Sequence, residues 1–115
     1  MAFAGLTIFN DVSGERYTFL KTGGELLLLD IALPPGREVG PHAHGGQEER
    51  FEVLSGAGGC RVGDREHALW RGVVVVVPPD TAHSLWSDEE GLLIRAEYRP
   101  ALDLAERLEA ACNRD

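Results

Sequence analysis

Long apolar runs are missing from this chain, and so are clusters of positive charge. The longest uninterrupted apolar stretch, Val73 to Pro79, is far too short to cross a bilayer as a helix. The N-terminal MAFAGLTIFN has neither a charged n-region nor a long apolar core, so no secretory signal is expected and the chain reads as cytoplasmic. Lys and Arg number 11 against 19 Asp and Glu, a net charge of −8 that no local basic cluster offsets. Such a surface repels phosphate backbones and anionic headgroups, so neither nucleic acid nor a membrane is expected as a partner. Cysteine is scarce too. Cys60 and Cys112 lie far apart, in no metal-ligand spacing, and read as packing thiols in a reducing compartment. Cys60 alternates with Val62 and is expected to face inward.

What is present is turn chemistry. Fourteen Gly and six Pro in 115 residues suit one domain of many short strands. The spacing predicts an extended arm over residues 6–20 with a turn at Asp11 to Gly14, and then a strand ELLLLDIAL, apolar on both faces as if sandwiched between layers. Further strands are expected in ERFEVLSG, in GAGGCRVG and REHALWRG around a turn at Gly63 and Asp64, and in Val73 to Val77, which Pro78-Pro79 ends. Ala82 to Ser87 reads as another strand, Ser87 to Gly91 as an acidic turn, and LLIRAEY as the last strand. After Pro100 the period changes. Leu104, Leu108 and Ala111 or Cys112 share one face of a short helix over 100–112, whose apolar stripe should dock on the barrel or on a neighbouring subunit.

The chain is organised around GREVGPHAHGGQEERFEVLSG, residues 36–56. His42 and His44 stand one residue apart, and residues i and i+2 of a strand share a face about 6.5 to 7 Å apart. Two imidazoles so placed can converge on one metal ion. Glu49 shares parity with Phe51 and Val53, whereas Glu48 shares it with Arg50 and Glu52, so Glu49 should turn inward and Glu48 toward water. Gly45 and Gly46 allow the irregular loop that an odd step from His44 to Glu49 demands.

These residues resemble the cupin superfamily. Its first motif, G-x5-H-x-H-x4-E-x6-G, is matched by Gly36, His42, His44, Glu49 and Gly56 with every spacing kept. Its second, G-x5-P-x-G-x2-H-x3-N, is matched by Gly72, Pro78 and His83, with Asp80 in place of Gly and Ser87 in place of Asn. The entry DVSGERYTFLKTGGELL and the exit EYRPAL look similar to small single-domain bacterial cupins. The resemblance implies an all-β jelly-roll barrel (double-stranded β-helix) over 6–99 with a short C-terminal helix, in one domain spanning 1–115. It also implies His42, His44, Glu49 and His83 as ligands of one divalent transition metal, with Glu49 able to shuttle a proton. Fe, Mn, Ni, Co, Cu and Zn all accept that donor set.

Three functions are open on this reading. The first is a metal-dependent enzyme acting on a small organic molecule, with dioxygenase chemistry favoured from the family's habits. The second is an isomerase or lyase using the ion as a Lewis acid, and the third a non-catalytic binding or sensing module. A homodimer through the arm and the helix is expected. Phe51 and Val53 should wall the metal, Gln47 and Glu48 should lie at the mouth, and Trp70 and Trp86 should be core or mouth packing. His67 reads as a surface residue, and Arg95 and Glu97 as outward charges.

Overall fold

The computed structural model describes residues 1–114. In chain order the elements are β1 (Thr7–Phe9), β2 (Arg16–Lys21), β3 (Leu27–Leu33), β4 (Glu38–His42), β5 (Glu48–Val62), β6 (Arg65–Trp70), β7 (Val74–Val77), β8 (His83–Arg99), α1 (Leu104–Ala111) and β9 (Asn113–Arg114). All pairings are antiparallel. Two layers result, because β5 and β8 each serve both. The first half of β5 pairs with β7 and with the second half of β8, which continues to β3, β2, β1 and β9. The second half of β5 pairs with β6 and with the first half of β8, which continues to β4. This is the double-stranded β-helix of a jelly roll.

The interior lies between the layers. Along β3, Leu27, Leu29, Ile31 and Leu33 are buried while Leu28, Asp30 and Ala32 are half-buried, so the strand alternates rather than being covered equally on both faces. Its outer face carries Asp30, which accepts from the Arg95 guanidinium at 2.8 and 3.1 Å. Arg95 and Glu97 thus point outward, while Leu92, Ile94, Ala96 and Tyr98 point in. His67 is exposed and Cys60 buried, as their positions in the pattern predict. Trp70 differs from expectation: at 60% exposure it packs in no core, because it ends the edge strand β6 on the outer face. Trp86 lies half-buried against Gly59.

The separate strands expected in ERFEVLSG and GAGGCRVG are one continuous β5. Ala82 to Ser87 and LLIRAEY are likewise one β8. The acidic segment between the latter is an excursion within the ladder: Gly56 pairs with Leu92 and Gly58 with Ser87, so residues 88–91 bulge opposite a single residue. A Cβ on Gly56 would stand 2.1 Å from the Gly91 carbonyl oxygen, and one on Gly58 2.0 Å from that of Trp86. Glycine is needed where the two backbones bend together.

The helix starts later than its pattern predicts. Leu102 sits at φ 51°. Pro100 and Ala101 carbonyls both accept from the Gln47 side-chain amide, at 2.8 and 2.9 Å. Leu104 is buried and Leu108 half-buried against the barrel interior of the same chain. The arm, too, is engaged within the chain, with β1 between β2 and β9.

A polar chain ties β2, β4 and β8 together. Ser87, standing where the family motif has Asn, donates its hydroxyl to the Pro34 carbonyl and accepts from the Arg37 backbone N–H at 3.0 Å. Arg37 Nε donates to Glu15 Oε2 at 2.8 Å, and the Tyr17 hydroxyl donates to Glu15 Oε1 at 3.1 Å. Burial pushes the Glu15 carboxyl up, but the nearby Ser13 hydroxyl, the Arg37 guanidinium and the Tyr17 hydroxyl together outweigh it and hold the group below its ordinary value.

Two outcomes are expected. Gly58→Ala should lower the unfolding free energy by more than about 2 kcal/mol in chemical denaturation, against under about 0.5 for Gly24→Ala, where no atom lies within 4 Å. Equal effects would mean that the bend tolerates a side chain. A carboxyl with a lowered folded pKa stabilises above its unfolded pKa of about 4, and that stability is lost as pH falls through the folded value. Stability should therefore decline below about pH 5, and Glu15→Gln should flatten that part of the profile; superimposable profiles would refute the role of the pair.

Candidate metal centre

Four side chains from three strand ends and a loop converge inside the barrel. His42 closes β4 and His83 opens β8, and their Cα atoms are direct partners across the ladder. His44 lies beyond the end of β4, in the loop, rather than on one strand with His42. Pro41 cannot donate to the ladder, and the strand ends within one residue of it. The two imidazoles still meet because the loop is held from the other side. Asp80, in the left-handed region at φ 61°, donates its N–H to the His44 carbonyl at 3.0 Å, and its Oδ1 accepts from the Gly46 N–H at 3.3 Å. An Asp at the motif's glycine position adopts the turn a glycine would, and its carboxylate fastens the first motif to the second.

The ring centroids lie 4.1 Å apart for His42 and His83, and 5.1 Å for each of the other two pairs. One ligand nitrogen from each ring lies within 4.8 Å of the others. Glu49, the second residue of β5, is 5% exposed while Glu48 faces water, the orientation that strand phase predicts. Its Oε1 stands 3.4 Å from His44 Nε2 and 3.3 Å from His83 Nε2.

The hydrogen bonds on the far side of the rings decide what the near side offers. Nδ1 of His42 faces the Gly40 carbonyl at 3.0 Å, and Nδ1 of His83 the Thr81 carbonyl at 3.0 Å. A carbonyl only accepts, so each Nδ1 carries the proton and each Nε2 presents its lone pair. Buried Nε2 atoms of His44 and His83 have no hydrogen-bond partner among the described residues. Burial foremost lowers the His42 pKa, with the neighbouring imidazoles adding to it. For His83 burial acts downward but Glu49 and the Thr81 carbonyl prevail, and the pKa rises. Burial pushes Glu49 up, yet the imidazoles of His44 and His83, when they carry a proton toward it, hold it at about 2.

This donor set fits a divalent transition metal. Neutral imidazoles with oriented Nε2 atoms and an ionised carboxylate are borderline ligands for such ions, each bonding at about 2.0 to 2.2 Å. Unsatisfied buried nitrogens are the mark of a missing partner.

The cluster opens into a cavity of about 320 Å³. Phe51 is part of its wall, whereas Val53 is buried in the core behind. Gln47, expected at the mouth, is 1% exposed and fastens the helix instead, because its amide donates to the Pro100 and Ala101 carbonyls just before α1. Glu48 is exposed and does not line the cavity. Several lining residues escaped the sequence reading. Glu15 and Tyr17 share parity with the buried Phe19, a signal that would have found them; Tyr98, 5.5 Å from the His44 ring, follows from the same alternation. Arg107 has no such signal, since the helix's docking face is set by tertiary packing. Cys60 also faces the cavity, and burial, with Glu49 adding to it, pushes its thiol up to about 11. A thiol so raised is neutral near pH 7.

Curated proteins yield no match. Among solved structures the chain is similar to an RmlC-like cupin from Shewanella frigidimarina, at 24% identity over 90% of this chain and 92% of that one, with a TM-score of 0.78. KdgF from Halomonas sp. is similar at 20% identity over 84% and 87%, with a TM-score of 0.77. The cupin domain of Cnp3 from Schizosaccharomyces pombe is similar at 16% identity over 82% and 70%, with a TM-score of 0.71. At such identities the likeness shows the fold. No helix among the described residues is long and apolar enough to cross a membrane. The model of the cupin domain matches residues 29–94, more than half the chain, and takes in both halves of the histidine cluster, so this chain belongs to the cupin family.

Proposed function

We propose that His42, His44 and His83, with Glu49 as a fourth ligand, bind one divalent transition-metal ion, and that the chain is an enzyme acting on a small organic molecule in the adjoining cavity. The observation that carries this reading is the convergence of three imidazoles whose protons are turned away to backbone carbonyls or whose Nε2 atoms are buried without a partner. When bound, the ion would supply Lewis-acid polarisation of substrate oxygens and, if redox-active, activation of O2. The chain's own groups do the rest. Glu49 offsets the ion's charge and would carry a proton at Oε1 only on leaving the ion. Phe51 and Tyr98 keep water from the cluster. Of the two reaction classes we favour dioxygenation, because an apolar wall protects reactive species from water; metal-assisted isomerisation or elimination is the alternative.

Elemental analysis of the protein as purified, and after titration with Fe(II), Mn(II), Ni(II), Cu(II) and Zn(II), tests the site. About one equivalent is expected for the wild type, and less than about a tenth of one for the His42→Ala/His83→Ala double variant. The bound ion should also raise the melting temperature of the wild type alone. A redox-active native metal directs the next step to oxygen-consumption assays, and zinc directs it to isomerase and lyase screens. A wild type that takes up none of these ions would overturn the enzyme reading.

A further inference from the structure

Away from the cluster, the cavity wall is apolar on almost every side. Leu33, Val39, Phe51, Leu85, Ile94 and Leu108 contribute from β3, β4, β5, β8 and α1. The volume of about 320 Å³ lies at the small end of ligand-binding cavities. Its charged groups are already matched. Glu15 is held by Arg37 at 2.8 Å and by the Tyr17 hydroxyl. Arg107 is the only Lys or Arg among the described residues that line the cavity, and its Nε pairs with Asp103 on its own helix at 3.2 Å, with the side chain 60% exposed. An anionic group carried into this space beyond the cluster would meet a buried carboxylate and no unpaired cation. Desolvation of that group would go uncompensated.

We propose that the cavity selects a largely apolar molecule bearing a single pair of metal-binding oxygens, such as an alkyl- or aryl-substituted catechol or β-diketone, and rejects one whose remainder carries a charge onto the wall, such as a catechol with a ring carboxylate. The oxygen pair rests on the metal reading above, whereas the apolar selectivity rests on the cavity alone. An apolar substituent gains by leaving water for the wall, at up to about fourfold in affinity for each buried methylene. A carboxylate held against the wall, out of reach of the metal, gains nothing comparable.

The test separates the two parts. Zinc-loaded protein, chosen because zinc is not redox-active, is titrated calorimetrically with catechol, 4-methyl-, 4-ethyl- and 4-propylcatechol and with 3,4-dihydroxybenzoate, which keeps the oxygen pair and carries a carboxylate in place of the alkyl group. The metal-free protein is titrated with 4-propylphenol, which has only one oxygen. Kd should fall by about two- to fourfold with each added carbon, and 3,4-dihydroxybenzoate should bind at least about tenfold more weakly than 4-propylcatechol. 4-Propylphenol should bind the metal-free protein. Leu85→Arg, with folding checked by thermal melt, places a cation on the wall and should shift the preference toward 3,4-dihydroxybenzoate. A flat series, or 3,4-dihydroxybenzoate binding tighter than 4-propylcatechol, overturns the apolar selectivity and leaves the metal reading standing. Zinc failing to bind overturns the metal reading and the oxygen-pair part with it, and failure of 4-propylphenol to bind overturns the apolar part independently.

Discussion

The bend in the β5–β8 ladder is the constraint on which the site depends. Along that ladder Glu49 pairs with Tyr98 near one end, and Val62 pairs with His83 at the other. In a flat sheet thirteen residues of strand would hold Glu49 and Val62 about 40 Å apart. In the folded chain Glu49 Oε1 lies 3.3 Å from His83 Nε2. The ladder closes on itself because its middle lacks side chains: Gly56, Gly58 and Gly91 let one backbone lie against the other where a Cβ has no room. The hydrogen-bonded ladder resumes on either side of the bulge, so both layers share the same two strands. A break into separate strands would have left the relative placement of the two motifs to loops. Continuity of β5 and β8 makes it a property of the sheet.

Much of this was legible in the residues, because strand parity and motif spacing are local. The inward turn of Glu49, the outward turn of Glu48, the pairing of Arg95 with the outer face and the burial of Cys60 all follow from alternation. The fold follows from the resemblance that the motif spacing carries, and Gly36, Gly56 and Gly72 of those motifs all take positive φ. What local patterns could not carry was what happens at interruptions. Residues 88–91 contain a run of charges and a glycine, the composition of a turn, yet cross-strand hydrogen bonds on both sides hold them as a bulge. Gln47 looked like a mouth residue because it adjoins a loop; its amide is drawn inward by carbonyls fifty-three and fifty-four residues away, which no window of sequence reveals. Trp70 shows the reverse error, since apolar character predicts burial only where a second layer exists to cover it, and β6 is an edge.

A surplus of negative charge on the surface is compatible with a mostly apolar cavity wall because the wall's charged groups away from the cluster are paired. Buried Glu15 keeps its charge but spends it on Arg37 and Tyr17, and that network reaches through the Arg37 backbone to Ser87 and the Pro34 carbonyl. The amide that the family motif places at position 87 is therefore not required for a contact there: a hydroxyl both donates and accepts, and here it does both. The same economy appears at Asp80, where a residue other than glycine takes the left-handed turn and gains two bonds to the histidine loop.

The chemistry of the cluster leads to a cation without reference to any relative. His42 and His83 donate their Nδ1–H groups to backbone carbonyls, so both turn lone pairs inward, and Oε1 of the Glu49 carboxylate stands 3.3 Å from His83 Nε2. Acceptors facing one another out of contact with bulk water repel unless positive charge lies among them. A proton on one imidazole is a partial answer. The raised pKa of His83 shows the pull of Glu49 toward it, and burial opposes it. One proton satisfies one nitrogen, however, and leaves the others without a donor. A single divalent ion meets all the lone pairs at once and balances the carboxylate, which makes the cluster an arrangement better suited to a metal than to any set of protons it could hold near neutral pH.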